Sequence, residues 1–342
     1  MRVLSDSQGA LCHLNLQYLG WLALQLMPDT AEAEWLDRFG NIWLVNADGS
    51  TGRKMATLAN GSITVTGTPG VVVPASTIFT AAGNSYQTMA NVTIAPATSP
   101  PAAVAAQALV PGSIGNLDPG TSMAMVGSIT GVDGSATVVE MDGGTDEETD
   151  DELRLRVLDR IRQPPMGGDA SDYVQWALAV PGVTRAWCSP LEMGMGTVTV
   201  RFMMDDLRAT TDPTTNGFPL PQDVTAVTNY LNTVRPVAVL DIVVEGPIPE
   251  PINFTVQGLN DGNYDSDLQG AIIDSVTAML AAKAAPAYAV NGVGQPAQTI
   301  YAAWVSDAIY QTAGVAYFDL IMTDHVMPTN GSLAVMGAVT WE

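Results

Sequence analysis

The chain has 342 residues and a formal net charge of −22 at pH 7, which comes from 35 acidic and 13 basic side chains. A surface this acidic repels phosphate backbones, so nucleic acid is excluded as an expected partner. Cys12 and Cys188 are the only cysteines, which excludes a disulfide framework and suits a reducing compartment such as the bacterial cytoplasm.

The first predicted element is a helix over Leu11–Met27, which Pro28 ends. Its apolar side chains recur at helical spacing: Leu11, Leu14, Tyr18, Trp21 and Leu22. This spacing favours a buried amphipathic helix. A targeting segment is the alternative, because Arg2 precedes the apolar run Leu19–Met27 and Ala31-Glu32-Ala33 follows it. The run is too short to span a membrane, so no membrane partner is expected.

A second helix is predicted to begin near Asp29 or Thr30, because either side chain could cap the first free N–H groups. The apolar face of this helix consists of Ala31, Trp35, Leu36, Phe39 and Trp43. Together the two helices predict an N-terminal helical region over residues 1–60.

A β-rich region follows over residues 61–144. Gly, Pro and Asn separate short strand-like runs: Ile63–Thr66, Val71–Val73, Thr77–Thr80, Tyr86–Thr88, Val92–Ala95, Val104–Leu109 and Thr137–Met141. This pattern favours a small antiparallel β domain, either a sandwich or a partly open barrel.

The rest of the chain alternates helix and strand, which predicts an α+β domain over residues 145–246 and another over 247–342. In the first, Thr149 and Glu152 form a predicted capping box for a helix through Leu153–Ile161. Its later elements are a helix over Asp172–Val180, strands over Thr184–Trp187 and Thr197–Met203, a helix through Val224–Val234 and a strand over Val237–Val244.

The second α+β domain has a similar outline. Its predicted elements are a strand over Asn253–Gln257, helices through Leu268–Leu280 and Ile300–Ile309, and strands over Ala316–Met322 and Leu333–Trp341. In both domains a helix leads into a Gly-Val turn, at Gly182 and at Gly314, where the glycine is predicted to be left-handed. The predicted fold class is therefore α+β multidomain: N-terminal helices, a small antiparallel β domain and two helix-on-sheet α/β modules.

The segment Gly143–Arg156, with the sequence GGTDEETDDELRLR, resembles the signature of the baseplate J-like family. This family includes the wedge proteins of contractile phage tails. Other segments extend the resemblance: Pro28–Arg38, Thr66–Gly70, Gly83–Thr88, Gln163–Gly168, Asp172-Tyr173, Pro181–Val183 and Gly196–Val200. It covers roughly residues 28–203, and the last hundred residues match only in outline.

The resemblance implies a non-enzymatic structural protein of a tail baseplate, which is part of the virion and assembles in the bacterial host cytoplasm. It implies a ring of copies around the central hub, with a sheath-initiator-like and a tail-fibre-connecting wedge protein as further partners. The ring would rearrange on host contact and release sheath contraction. No cofactor is expected.

Two other functions remain open at this point. The β-rich region favours a receptor- or carbohydrate-binding tail protein, although an aromatic content of 6% is low for sugar recognition. The third hypothesis is a hydrolase that acts on the cell wall, for which no pair of carboxylates stands out.

The arginine-rich helix supplies the candidate site. Four arginines follow its acidic start, and only Lys54 and Lys283 are lysines, so 11 of the 13 basic residues are arginine. One hypothesis is a solvated helix whose charges neutralise each other at i,i+4 spacing. The other is a subunit interface, since arginine is favoured at interfaces. That interface would consist of Glu152, Arg154, Arg156, Arg160 and Arg162.

Catalytic and metal-binding patterns are weak. His13 and His325 are the only histidines and lie far apart in the sequence, so a catalytic histidine is not expected. The stretch Asp261–Asp267 resembles the first half of a calcium loop. It has Ser266 where that loop needs glycine and Ile272 where it needs glutamate, so a turn with an N-capping aspartate is favoured.

Overall fold

The computed structural model describes residues 2–96, 101–210, 212–262, 265–287, 289–290, 293–294 and 298–342. Over these ranges the protein is α+β, with seven α-helices and 18 strands. It consists of two compact units, Met1–Pro164 and Pro165–Glu342. The α+β class agrees with the prediction, whereas the predicted boundaries at residues 60, 144 and 246 stay a prediction.

The first helix, α1 (Arg2–Gln25), begins earlier than predicted and ends shortly before Pro28. The prediction that it is buried is wrong, because Leu11, Leu14 and Tyr18 are 61%, 59% and 60% exposed. Leu16 and Leu24, on the other side of the helix at 100° per residue, are also exposed. Helical spacing identified an apolar face, but spacing alone does not show what covers that face.

Two further helices, α2 (Ala33–Trp43) and α3 (Asp150–Arg162), pack against each other. Their shared core contains Ala31, Leu36, Leu44, Leu153 and Val157, with Trp35 and Phe39 at its edge. Trp43 does not join that core and is 44% exposed. The N-cap of α2 is Glu32 rather than the predicted Asp29 or Thr30. Although α3 was predicted to open the third domain, it lies with α2 in the first unit.

The chain between α2 and α3 forms a closed six-stranded barrel in the order β1-β6-β4-β3-β7-β8. The region contains eight strands, because the short pair β2–β5 forms a separate two-stranded sheet beside the six strands of the barrel. In chain order they are β1 (Asn60–Gly67), β2 (Val72–Val73), β3 (Ile78–Ala81), β4 (Asn84–Thr88), β5 (Val92–Thr93), β6 (Ala102–Ala108), β7 (Ser122–Met125) and β8 (Val132–Asp142). Ile63, Phe79, Tyr86 and Met123 fill the interior. The sequence prediction missed β7, whose residues Ser-Met-Ala-Met are not β-branched.

The central part of the second unit is a three-stranded sheet with two helices. Its elements are α4 (Ala170–Leu178), β9 (Arg185–Pro190), β10 (Thr197–Met203), α5 (Pro221–Val234) and β11 (Asp241–Glu245). Strand β10 lies between an antiparallel β9 and a parallel β11. The predicted strand over Val237–Val244 is wrong in its first half, because Val237 is fully exposed in the turn after Pro236 and the strand begins at Asp241.

The C-terminal part contains β12 (Ile248–Gln257), α6 (Ser266–Lys283), β13 (Ala289–Val290), β14 (Val293–Gly294), β15 (Thr299–Ile300), α7 (Ala302–Tyr310), β16 (Asp319–Ile321), β17 (His325–Val326) and β18 (Ser332–Trp341). Its main sheet has the order β16-β12-β18. Helices α6 and α7 cover that sheet through Ile272, Val276 and Ile309, which are fully buried.

Two predicted turns can be compared with the structure. Gly182 and Gly314 have φ angles of 81° and 96°, so both glycines are left-handed as predicted. Asp265 caps α6 by accepting a hydrogen bond of 3.2 Å from the Asp267 N–H. This confirms the predicted N-capping aspartate, while Asn263 and Tyr264 of the same stretch lie outside the described residues.

The two cysteines are predicted to react very differently with thiol reagents. Burial raises the pKa of the Cys188 thiol to about 12, whereas Cys12 is exposed on α1. Because the thiolate is the nucleophile, we expect native Cys188 to be alkylated about a thousandfold more slowly than Cys12 at pH 8. Mass spectrometry of alkylated peptides measures both rates. Similar rates in the native protein would contradict this, and equal rates in urea are the control.

Candidate interface on the helices of the first unit

The start of α3 is fixed by the predicted capping box. The Glu152 carboxylate accepts a hydrogen bond of 2.7 Å from the Thr149 N–H, and the Thr149 hydroxyl accepts one of 3.4 Å from the Glu152 N–H. Asp150 and Asp151 in the first turn, and the arginines in the last, complement the helix dipole. Glu152 therefore serves the helix itself and does not pair with Arg156 four residues later.

Arg156 lies in a buried ion pair instead of on a solvated face. Its guanidinium donates to the Glu148 carboxylate at 2.6 Å and to the Asn46 side-chain oxygen at 2.7 Å. The Arg156 and Glu148 side chains are only 11% and 1% exposed. Glu148 also accepts a hydrogen bond from the Lys54 N–H at 3.0 Å. Arg156 therefore joins α3 to the segment that leads into the barrel.

Arg53 completes this arrangement, which we call the polar clamp (Arg53, Glu148 and Arg156). Arg53 donates to Asp37 at 2.9 Å, to Asp150 at 2.6 Å and to the Glu148 carbonyl at 2.6 Å. Burial alone would lower the pKa of Arg53, but its hydrogen bonds to Asp150 and Asp37 outweigh that effect and raise it. Sequence reasoning missed Arg53, because Asp150 is 97 residues away along the chain.

The remaining predicted interface residues divide into two groups. Arg154 is engaged within the chain, where it donates to Asp151 at 2.8 Å and to the Ala31 carbonyl at 3.0 Å. Arg160 is half-buried and Arg162 is exposed. Leu155 lies on the same side of α3 as Arg162 and is also exposed, at 61%. The outer face of α3 thus combines an apolar and a cationic side chain.

Helix α1 is the second candidate surface. Leu11, Leu14, Leu16, Tyr18, Leu19 and Leu24 all have more than half of their surface exposed. At its end, three hydrogen bonds attach α1 to the segment before α2. Trp21 Nε1 donates to the Glu32 carboxylate at 2.9 Å, the buried Gln25 side chain accepts from the Glu32 N–H at 2.8 Å, and the Thr30 hydroxyl donates to the Leu24 carbonyl at 2.7 Å. The helix is therefore presented in a fixed direction.

Chemically reactive groups are sparse in the described part of the chain. His13 is exposed on α1, and His325 Nε2 lies 3.1 Å from the Glu250 carboxylate. Among the described residues, no group of three or more His, Cys, Asp or Glu side chains is placed to hold a metal ion. Across the same residues, none of the helices has the length and apolar character needed to cross a bilayer.

Comparison with family models gives two matches, which correspond to two parts of the fold. Residues 62–144, the barrel, match the Baseplate J-like protein barrel domain. Residues 165–245, the central sheet with α4 and α5, match the Baseplate J-like central domain.

Two relatives extend this similarity. The Mu-like prophage FluMu protein gp47 of Haemophilus influenzae is 31% identical over 340 residues, which cover 95% of this chain and 86% of that protein. The baseplate protein gp47 of Escherichia phage Mu is 35% identical over 221 residues, which cover 64% of this chain and 57% of the phage protein. The match to the phage Mu protein therefore spans less than two thirds of its length.

Among solved structures, one chain of the anti-feeding prophage baseplate, determined by cryo-electron microscopy, is similar over 83% of this chain and 77% of its own length. The TM-score is 0.41 and the sequence identity is 9%, a similarity too low to support a conclusion about this chain.

Proposed function

Because the chain belongs to the baseplate J-like family, we propose that it is a wedge component of a contractile tail, arranged as a ring around the central hub. As a member of this family it is a structural baseplate protein of a phage or prophage tail, and hence part of the virion. Ring formation and a role in triggering contraction are the parts that we propose here.

The observation that carries this proposal is the exposed apolar surface of α1. A helix of 24 residues is about 36 Å long, and a stable interface buries about 800 Å² on each partner. Large apolar side chains on all sides of α1 supply surface of that kind. Contiguous apolar surface of this extent marks an interaction site in a protein that works in an assembly.

A second contact is proposed on the outer face of α3. The predicted interface set of Glu152, Arg154, Arg156, Arg160 and Arg162 is narrowed here, because Glu152, Arg154 and Arg156 already bind within the chain. Leu155 and Arg162 remain available for a neighbouring subunit. An exposed leucine beside an arginine provides apolar area together with a guanidinium group that can bind both oxygens of a carboxylate.

The proposed partners are further copies of this chain, a sheath-initiator-like wedge protein and a tail-fibre-connecting wedge protein. In the proposed mechanism the contacts between subunits hold one ring arrangement and exchange for another when the tail meets its host. The acidic subunit, at −22, would be kept apart from other copies until apolar contacts and basic partner surfaces offset the repulsion.

Electron microscopy of the assembled particle tests the proposed function. We expect density for this chain in a ring near the end of the tube, with α1 of each copy covered by other protein. Density at the tips of the fibres would reject the wedge role and would favour a receptor-binding protein instead. A tag on an exposed barrel loop, such as one at Gly127, would mark the chain without disturbing α1.

A further inference from the structure

The central sheet of the second unit has two faces with different coverings. One face carries Val200 and Phe202, which are fully buried, and the sheet is packed by α4 against β9 and β10 and by α5 against β11. On the opposite face, alternate residues of β10 are Arg201 and Met203. Met203 belongs to the same buried core as Ile252 and Leu333 of the C-terminal part. The opposite face of the sheet is therefore the joint between the central and the C-terminal parts.

Arg201 is the charged residue at the centre of that joint. Its guanidinium donates to both carboxylate oxygens of Glu192, at 2.7 Å and 3.0 Å, and to Glu245 at 2.5 Å. The Arg201 and Glu192 side chains are 3% and 1% exposed, while Glu245 at 40% reaches solvent. Glu192 lies in the turn between β9 and β10, and Glu245 ends β11, so the guanidinium of Arg201 on β10 joins that turn to the end of the neighbouring strand.

The C-terminal part contributes the surface against which the guanidinium lies. A Cβ atom added to Gly331 would come within 2.9 Å of Arg201 Nε, so only glycine allows this approach. Gly331 is left-handed, with a φ angle of 84°, and directly precedes β18. Its N–H donates to Ala287 at 2.6 Å and its carbonyl accepts from the Ile248 N–H at 2.7 Å, which fixes it to the C-terminal part.

Buried ion pairs add little net stability, because desolvation offsets most of the attraction between the charges. They do require one geometry, since a displaced guanidinium leaves a buried carboxylate unpaired. Apolar contacts such as those of Met203 have no such directional requirement. We propose that Arg201, held by Glu192 and Glu245 and pressed against Gly331, is a lock that sets the orientation of the C-terminal part on the central sheet. This inference does not depend on the baseplate role.

The experiment measures the distance between spin labels placed on the two parts. Asn232→Cys on α5 and Ala278→Cys on α6 are exposed positions for the labels, and Cys12→Ser removes the exposed native thiol. The background protein should give one narrow distance distribution by pulsed electron resonance. The variant Arg201→Met/Glu192→Leu replaces the ion pair by apolar side chains, and we expect it to stay folded and to gain a second, longer distance.

The buried pair Arg208–Asp223 is the matched control for that variant. It is similarly buried, at 10% and 8%, but lies wholly in the central part. Arg208→Met/Asp223→Leu should therefore keep the single distance. A single unshifted distance in the Arg201→Met/Glu192→Leu variant would overturn the proposal, and so would a second distance of equal weight in the Arg208→Met/Asp223→Leu control.

A glycine pair tests the lock without altering any charge. Gly331→Ala brings a methyl group against the guanidinium, whereas Gly258→Ala has the same left-handed strain, with a φ angle of 61° and open space around it. We expect the distance to shift in Gly331→Ala and not in Gly258→Ala. The same behaviour in both variants would reject the lock, even if the Arg201 variant failed to fold.

Discussion

Placing glutamate at Leu11 and Leu14 is expected to weaken the proposed self-association strongly while the subunit stays folded. Both side chains are about 60% exposed, so the substitution costs little within the subunit. Burying a leucine at an interface contributes about 1.5–3 kcal/mol, so losing two should weaken association at least about a hundredfold. Burying the new carboxylates would add a further penalty. Sedimentation velocity over a range of concentrations measures the change.

The matched control adds the same charge to α1 without removing apolar surface. His13→Glu/Gln17→Glu places two carboxylates on the side of the helix away from Leu11 and Tyr18. This control should associate more strongly than the leucine variant. If the leucine variant assembles as well as the unmodified protein, α1 is not the contact surface. The exposed surface of α1 would then no longer support the proposal that the chain forms a ring.

Replacing Arg156 by methionine is expected to lower the free energy of unfolding of the first unit by about 3–5 kcal/mol, because Glu148 would remain buried without its cation. The double variant Arg156→Met/Glu148→Leu removes both charges and should recover most of that loss. Urea unfolding followed by hydrogen exchange of α2 and barrel amides measures the first unit separately from the second.

Arg162→Met is the control on the same helix. Its side chain is exposed, so the change in unfolding free energy should stay within about 0.5 kcal/mol. Equal losses at both positions would show that the polar clamp is not what holds α3. The result also decides how the α3 interface is tested. Charge reversal at Arg156 would break the polar clamp and destabilise the first unit, whereas Leu155→Glu/Arg162→Glu alters only the outer face of α3.

Much of the fold could be predicted from short stretches of the sequence. The capping box of Thr149 and Glu152, the left-handed Gly182 and Gly314, and seven of the eight strands of the β-rich region follow from turn residues and short alternating runs. These features depend on neighbours within a few residues. The closure of the barrel depends on the pairing of β1 with β8, about seventy residues away, and only a sandwich or a partly open barrel was expected.

For the candidate site, less could be predicted from the sequence than for the fold. The arginine-rich helix was visible in the sequence, but the roles of its residues were not. Arg156 pairs with Glu148 and Asn46 because α2 and α3 meet in space, and the sequence offered Glu152 as the nearer partner. The exposure of α1 could not be predicted either. The same apolar residues would suit a buried helix, and only the packed structure shows which surfaces are left uncovered.

The polar clamp has a mechanical consequence if the chain carries load in a tail that contracts, as proposed above. The chain enters the barrel at Asn60 and leaves it at Asp142, which lie directly opposite each other on the antiparallel strands β1 and β8. Tension applied at these two points would peel the strands apart one hydrogen bond at a time, the weakest direction in which to load a sheet. Just outside this point, Arg53 and the Lys54 N–H bind Glu148. Force passing from α2 to α3 would therefore load the clamp before it reached strands β1 and β8.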